Sequence, residues 1–227
     1  MDLAGRDVLI VFLKRPVPGE VKTRLIPLLG AEAAARLYRR LTEEGIRRTA
    51  PPHVEYVRVL FHAPASAEAE IAAWFPGEIL RPQAEGDLGA RMAMAFEAVF
   101  QEGARRAALV GTDIPWLTCG DVARALAALD EADVALGPAE DGGYYLIGLR
   151  RPQPALFREI AWSTPSVLAA TVERAHMEGL SVHALPPHRD LDDADDLREQ
   201  WRRLRPILAR DPDLVAHVEG ALAGVAS

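Results

Sequence analysis

Val8-Leu9-Ile10-Val11-Phe12-Leu13-Lys14-Arg15-Pro16-Val17-Pro18-Gly19-Glu20-Val21-Lys22-Thr23-Arg24-Leu25 is the stretch whose reading decides the fold. Its apolar opening, Val8–Leu13, reads as a first strand. The basic loop that follows leads into a helical pattern, and open α/β sheets bind phosphates beyond the carboxyl end of the first strand. Among the 26 Lys and Arg residues only Lys14 and Lys22 are lysines, and both lie in this loop. A compact, mobile ammonium is not interchangeable with a planar guanidinium fork where one cation must follow a phosphate oxygen. The alternative is a solvated turn that is merely basic; loop, glycine and charge together favour phosphate.

Working outward, a helix is expected from about Ala31 to Thr49, on apolar positions Ala34, Leu37, Leu41 and Ile46, with Pro51-Pro52 ending it. Val54–Phe61 reads as a second strand, Ala65–Trp74 as a helix and Ile79-Leu80 as a short third strand. Asp87 is placed to cap a helix from Leu88 to about Glu102. A buried strand at Ala107–Gly111 runs into Thr112-Asp113-Ile114-Pro115, and a helix follows over Asp121–Leu129. Val134–Pro138 and Tyr144–Leu149 read as strands joined by the Glu140–Gly143 turn. Ser163 or Thr164 is expected to cap a helix with Pro165 at its first position. A late strand (Ser181–Leu185) and helices near Ala194–Ala209 and Pro212–Leu222 complete the order. Alternating strands and helices imply an α/β fold, a mostly parallel sheet with helices on both faces, and a single domain over 1–227.

The 227 residues, 49% hydrophobic and 26% charged, suffice for a full sheet and its helices and describe a globular chain. No apolar run is long enough to span a membrane, and no basic-then-apolar leader is seen, so a cytoplasmic location is expected. The one cysteine, Cys119, excludes an internal disulfide and a cysteine zinc cluster. The net charge of −7 argues against a nucleic-acid surface. Positive charge is concentrated early: residues 1–50 carry ten Lys/Arg against six Asp/Glu. A basic entry loop on an acidic body suits a small polyanion.

Asp113 stands at the carboxyl end of an apolar strand, poorly placed for packing and well placed to hold Mg²⁺ against a polyphosphate, unless it only caps the next turn. Arg189-Asp190-Leu191-Asp192-Asp193-Ala194-Asp195-Asp196-Leu197 crowds five carboxylates, which a helix N-terminus or a cation must relieve. Both can apply, one carboxylate joining Asp113 on a metal while another caps the helix. Asp141-Gly142-Gly143-Tyr144 reads as a tight turn, or as the floor of a substrate pocket. Gly86-Asp87-Leu88-Gly89 reads as a helix entry whose glycines and N-terminus could face a ribose or base. Trp162-Ser163-Thr164-Pro165 reads as a helix start, with Trp162 also able to wall an acceptor site. His53, His62, His176, His183, His188 and His217 are scattered and lack zinc spacing. Hydrolase, dinucleotide-binding and P-loop motifs are all missing.

With these motifs in this order, the chain resembles the bacterial radical-SAM/selenodomain-associated transferase family, usually labelled glycosyltransferases, of the nucleotide-diphospho-sugar transferase (GT-A) superfamily. The first loop is also similar to the Lys-x-x-x-x-x-x-Lys-x-Arg-Leu stretch of phospholactate guanylyltransferases. The resemblance implies a GT-A-like fold and contacts from Lys14, Lys22 and Arg24 to nucleotide phosphates; Arg15 and Gly19 of the same loop, and Gly86, Asp87 and Gly89 at the helix entry, are also expected at the nucleotide. It gives Asp113 the superfamily's metal aspartate. Leu191–Leu197 resembles the Val-Asp-Thr-Pro-Glu-Asp-Leu ending of sugar-acid cytidylyltransferases, which makes Asp192 the second metal ligand and leaves Asp190 as its rival. Asp193-Ala194 in place of Thr-Pro implies a less rigid helix entry. Gly142-Gly143-Tyr144-Tyr145 stands where guanylyltransferases have Gly-Gly-Thr-Asn, which speaks against phospholactate as acceptor.

The expected activity is Mg²⁺- or Mn²⁺-dependent transfer, with Lys22, Asp113 and Asp141 catalytic. Gly142, Gly143, Tyr144, Trp162, Ser163 and Thr164 would contact the acceptor. The favoured reaction is nucleotidyl transfer from a nucleoside triphosphate to a small acceptor with release of pyrophosphate. The alternative is glycosyl transfer from a nucleotide-diphosphate sugar, with Asp141 as base, and the third reading is a non-catalytic nucleotide-binding module. Neither nucleic acid nor a membrane span is expected as a partner; a homodimer is left open.

Overall fold

A computed structural model of the chain describes residues 2–50 and 56–224. The expected helix stop at Pro51-Pro52, His53 and the expected strand start at Val54 lie outside the described residues. The α-helices in chain order are α1 (Ile26–Leu29), α2 (Ala31–Arg48), α3 (Glu68–Trp74), α4 (Leu88–Gln101), α5 (Cys119–Ala128), α6 (Val167–Met177), α7 (Ala194–Leu204) and α8 (Pro212–Gly224). Residues group into two compact units: Met1–Arg15, Thr49–Gly111 and Leu117–Arg189 form one, and Pro16–Arg48, Thr112–Trp116 and Asp190–Ser227 the other.

The first unit carries a seven-stranded sheet of β1 (Asp7–Lys14), β2 (Val57–Ala63), β3 (Ile79–Pro82), β4 (Arg106–Val110), β5 (Val134–Pro138), β6 (Tyr144–Leu149) and β7 (Val182–Ala184). Their order is β3-β2-β1-β4-β6-β5-β7. All pairings are parallel except those of β6, which runs antiparallel to β4 and to β5. The short Ala139–Gly143 connection forces this, since a few residues can join only antiparallel neighbours. Strand order reverses between β1 and β4, paired in the register Val11↔Val110; such a switch point is where open α/β sheets bind ligands.

Both sheet faces are covered, and so the strands read as continuous apolar runs instead of alternating ones. On one face Met92, Ala95, Phe96 and Val99 of α4 join Val8, Ile10, Val59, Leu109, Leu136 and Ile147 in one buried cluster. On the other, α5 packs over β4 and β5. There Gly148 leaves room that a side chain would lose to Ala135 and Leu129, each 3.3 Å from where its Cβ would stand. At the amino end of the sheet Asp7 is buried between Arg105 and Arg106, whose nearest nitrogens stand 2.8 and 2.7 Å from its carboxylate.

In the second unit α2 buries Ala34, Leu37, Tyr38, Leu41 and Ile46 along one stripe and contacts α1 and α8. His217 Nε2 lies 2.8 Å from the Leu29 carbonyl oxygen, tying α8 to α1.

The structure corrects several helix ends. α6 starts at Val167 and not at Pro165, because Ser163 takes a left-handed conformation (φ 62°) and the Thr164 hydroxyl donates to the Ala161 carbonyl at 2.7 Å. α5 starts earlier than expected, because Thr118 and Asp121 cap it reciprocally. α7 stops at Leu204 and not at Ala209: Pro206 has no N–H to donate to the Arg202 carbonyl, so it cannot extend the helical ladder. The short 3₁₀ turn Thr23–Leu25 and α1 were not anticipated. Among the described residues no helix is long and apolar enough to cross a membrane.

Candidate active site

Three parts of the sequence meet in the second unit around one ammonium group. Lys22 Nζ donates to Asp113 Oδ1, to the Leu191 carbonyl at 2.6 Å and to Asp192 Oδ1 at 3.3 Å. Its side chain is only 2% exposed, whereas those of Asp113 and Asp192 are 52% and 39% exposed. Arg24 adds a second cation, 3.2 Å from the other Asp192 oxygen. Asp113 and Asp192 thus converge on the Lys22 ammonium from two separate segments of the unit.

Local structure explains the convergence. Lys22 holds a left-handed backbone (φ 45°, ψ 44°), costly for a residue with a Cβ, and this turns its stem inward ahead of the 3₁₀ turn. Thr112 is fixed by a hydrogen bond from its hydroxyl to Tyr38 at 3.2 Å, and the Leu191 N–H donates to the Asp113 carbonyl at 3.2 Å. Leu191, fully buried, pins the acidic segment from within. Asp193 caps α7 by accepting from Asp195 and Asp196 N–H groups, and the Asp196 carboxylate accepts in return from the N–H groups of Asp192 and Asp193. The expected looseness of this helix entry is therefore corrected: a reciprocal aspartate cap does the work assigned to Thr-Pro.

Burial by itself lowers the pKa of Lys22, but the charges and hydrogen bonds of Asp113 and Asp192 more than offset it and hold the pKa above the ordinary lysine value. The group is a fixed cation. Among the described residues no three His, Cys, Asp or Glu side chains gather as a metal-binding group. Two carboxylates aimed at one point and partly open to water still fit a hard cation such as Mg²⁺, which commonly takes one or two carboxylates and completes its shell with water and phosphate. The backbone carbonyl of Asp190, the rival of Asp192 in sequence, accepts from Gln200 at 2.6 Å.

The remaining expected residues have these settings. In the second unit Gly19 takes φ 88° in an open turn, where a side chain would meet nothing within 4 Å. In the first unit Lys14 ends β1 and Arg15 pairs with Glu70 at 2.9 Å. Also in the first unit, Asp87 caps α4, its carboxylate accepting from Ala90 N–H at 2.8 Å. Gly86 takes φ 116° just before that cap. Gly89 lets the Trp162 indole lie against α4; its Cβ would stand 2.7 Å from the ring. Asp141 Oδ1 accepts from Gly143 N–H at 2.9 Å, closing a local turn. Gly142 (φ 89°) runs against the backbone of Pro165, and its carbonyl accepts from Leu168 N–H at 2.9 Å. Tyr144 is half-buried against the core cluster with Trp162, and burial raises its pKa. Sequence reasoning missed Leu191 and Tyr38; an apolar residue between two aspartates was the available signal for Leu191.

A family model described as "Uncharacterized protein conserved in bacteria (DUF2064)" matches residues 48–164. The chain is 29% identical over 195 residues to phosphoenolpyruvate guanylyltransferase of Chloroflexus aggregans, covering 82% of this chain and 93% of that one. It superposes on a crystal structure from Desulfovibrio desulfuricans G20, described as a nucleotide-diphospho-sugar transferase, with TM-score 0.85 and 33% identity over 94% of this chain and 98% of that one. A more distant likeness, of fold alone, is to 4-diphosphocytidyl-2C-methyl-D-erythritol synthase of Anaerococcus prevotii (TM-score 0.58, 8% identity, 88% and 99% covered). The chain belongs to the DUF2064 family, has the fold of the nucleotide-diphospho-sugar transferases and is a transferase.

Proposed function

We propose that the protein is a nucleotidyltransferase that moves a nucleoside monophosphate from a nucleoside triphosphate to a small, phosphate-bearing acid. The observation that carries this reading is the convergence of Asp113 and Asp192 on the Lys22 ammonium, with Arg24 on the other Asp192 oxygen. The likeness to a guanylyltransferase supports the nucleotidyl reaction and makes guanosine triphosphate and phosphoenolpyruvate the first pair to try.

In this reading Asp113 and Asp192 hold a divalent cation, Mg²⁺ or Mn²⁺, which neutralises phosphate oxygens. An acceptor oxyanion attacks the α-phosphorus, a new P–O bond forms, and the bond to the β-phosphate breaks, releasing pyrophosphate. Lys22 holds the two carboxylates together when no metal is bound. Arg24, two-thirds exposed, offers its guanidinium to phosphate. Lys14, Arg15 and Gly19 lie on the same stretch of chain and are proposed as further phosphate contacts. Gly86, Asp87 and Gly89 are proposed for the nucleoside. Gly142, Gly143, Tyr144, Trp162, Ser163 and Thr164 are proposed for the acceptor. Asp141, engaged in its own turn, is proposed to orient that acceptor. Positioning and charge neutralisation would supply most of the rate.

The test is incubation with Mg²⁺, each nucleoside triphosphate and a panel of small phosphorylated acids, following pyrophosphate release and product mass. Release that depends on both substrates is the expected result. Turnover of nucleotide-diphosphate sugars, with nucleoside diphosphate released and no pyrophosphate from any triphosphate, would instead establish glycosyl transfer, the reading that the Desulfovibrio structure's description favours.

A further inference from the structure

A second cationic feature of the same unit has no part in the chemistry above. The carboxyl-terminal half of α2, the end of α7 and the turn beyond it, and Trp116 enclose a cavity of about 410 Å³. That is within the span of small-molecule sites, about 300–1,000 Å³. Its lining includes five arginines, Arg40, Arg47, Arg48, Arg203 and Arg210, against two acids, Glu43 and Glu44. On a chain of net charge −7 such a surplus is local and specific.

Pairing within the cavity is uneven. Glu43 accepts from Arg40 at 2.8 Å, and Glu44 from Arg47 at 2.7 Å. Arg48 stands 3.7 Å from Glu44, donates to the Trp116 carbonyl at 3.3 Å, and leaves its buried Nε without a partner. Among the described residues neither Arg203 nor Arg210 pairs with a carboxylate. The Arg203 guanidinium lies 4.3 Å over the Trp116 ring. Burial, and then the like charge of Arg48, push its pKa below the ordinary arginine value. The like charges of Arg48 and Arg203, which Glu44 at 3.7 Å from Arg48 offsets only in part, form an arrangement that an anion relieves.

We propose that this cavity is a binding site for a small phosphorylated anion, seated between Arg48, Arg203 and Arg210 with Trp116 as its wall. Guanidinium forks match phosphate oxygens in pairs, and the apolar faces of Trp116 and Ile207 exclude water from those bonds. The site stands independently of the nucleotidyl reading, because none of its residues contacts Lys22, Asp113 or Asp192 through an ion pair.

Calorimetric titration with pyrophosphate and with inorganic phosphate, in EDTA at fixed ionic strength, tests it. The wild type is expected to bind one of them saturably. Arg210→Gln, and Arg203→Gln combined with it, should weaken that binding by about tenfold or more, while Asp192→Asn leaves it in place. Arg210 is exposed and unpaired, so the single variant decides the matter if the double variant melts early. The proposal is overturned by wild-type affinity in the arginine variants, by loss of binding in Asp192→Asn, by equal binding of acetate, or by no saturable binding at all.

Discussion

The ammonium of Lys22 stands 3.3 Å from the carboxylate of Asp192, 170 residues later in the sequence, and shares its other protons with Asp113 and the Leu191 carbonyl. A lysine with 2% of its side chain exposed has no room for a guanidinium fork. Lys22→Arg should therefore both destabilise the protein, by about 1–3 kcal/mol through overpacking, and reduce turnover by about tenfold or more. Thermal melts and steady-state pyrophosphate release measure the two effects; wild-type values in both would make the lysine incidental.

Lys22→Met keeps the stem and removes the charge. The partners are partly exposed, so water screens their repulsion and the cost should be moderate, about 1–2 kcal/mol. The Lys22 pKa is raised by folding, so its charge contributes stability that is fully present below the unfolded value of 10.5 and is lost as pH rises through the higher folded value. Denaturant melts of wild type and Lys22→Met should show a constant gap from neutral pH to about pH 10 that closes only in stronger alkali. A gap that closes near neutrality would contradict the pairing.

Asp113→Asn and Asp192→Asn should each lower pyrophosphate release by about a hundredfold, with a matching rise in the Mg²⁺ concentration needed for half-maximal rate. Asp190→Asn should lower it far less, because it is the Asp192 carboxylate that faces Lys22 and Arg24. Equal losses at 190 and 192 would return the second metal position to Asp190.

Asp7 gives a prediction of opposite sign. Burial alone raises its pKa, but hydrogen bonds and charge from Arg105 and Arg106 prevail and hold it below the ordinary carboxylate value. A depressed pKa stabilises the fold above the unfolded value of 3.8, and that stability is lost as pH falls through the folded value. Asp7→Asn should cost about 2–3 kcal/mol at pH 7, water screening the exposed Arg105 share, and the gap to wild type should shrink below about pH 4. Denaturant melts at pH 7 and pH 3 measure it; an undiminished gap at the lower pH would remove the ion pair as the cause.

Sheet and helix order was legible because Val8–Leu13 and Ala107–Gly111 are apolar throughout, as strands covered on both faces must be. Residue patterns alone showed Lys22, Asp113 and Asp192 in three separate charged segments, and only the resemblance brought them to one metal and polyphosphate; in the fold the Leu191 backbone, which carries no side-chain signal, joins them. The start of α6 was misread where two residues, Ser163 and Thr164, offered a cap, since the left-handed turn at Ser163 delays the helix to Val167. The arginine cavity was hidden for a different reason. Nothing in the sequence links Arg40–Arg48 with Arg203–Arg210, and only folding of the second unit sets them around Trp116.

Gly142 tests whether the Asp141–Tyr144 turn is fixed by its neighbours or merely permitted by glycine. Its φ of 89° lies in the left-handed region, which costs a residue with a side chain about 1–2 kcal/mol. A Cβ there would also run into the Pro165 backbone, whose carbonyl carbon would be 2.7 Å away and cannot rotate aside as a side chain would. Displacing Pro165 would break the bond from Leu168 N–H to the Gly142 carbonyl that holds the start of α6. Gly142→Ala should therefore lower stability by about 2–4 kcal/mol, more than the backbone cost alone. Gly19→Ala is the comparison: it has nearly the same φ, 88°, but open space around the Cβ, and should lose only about 1–2 kcal/mol. Paired thermal melts separate the two contributions, and equal losses would show that the Pro165 contact yields freely.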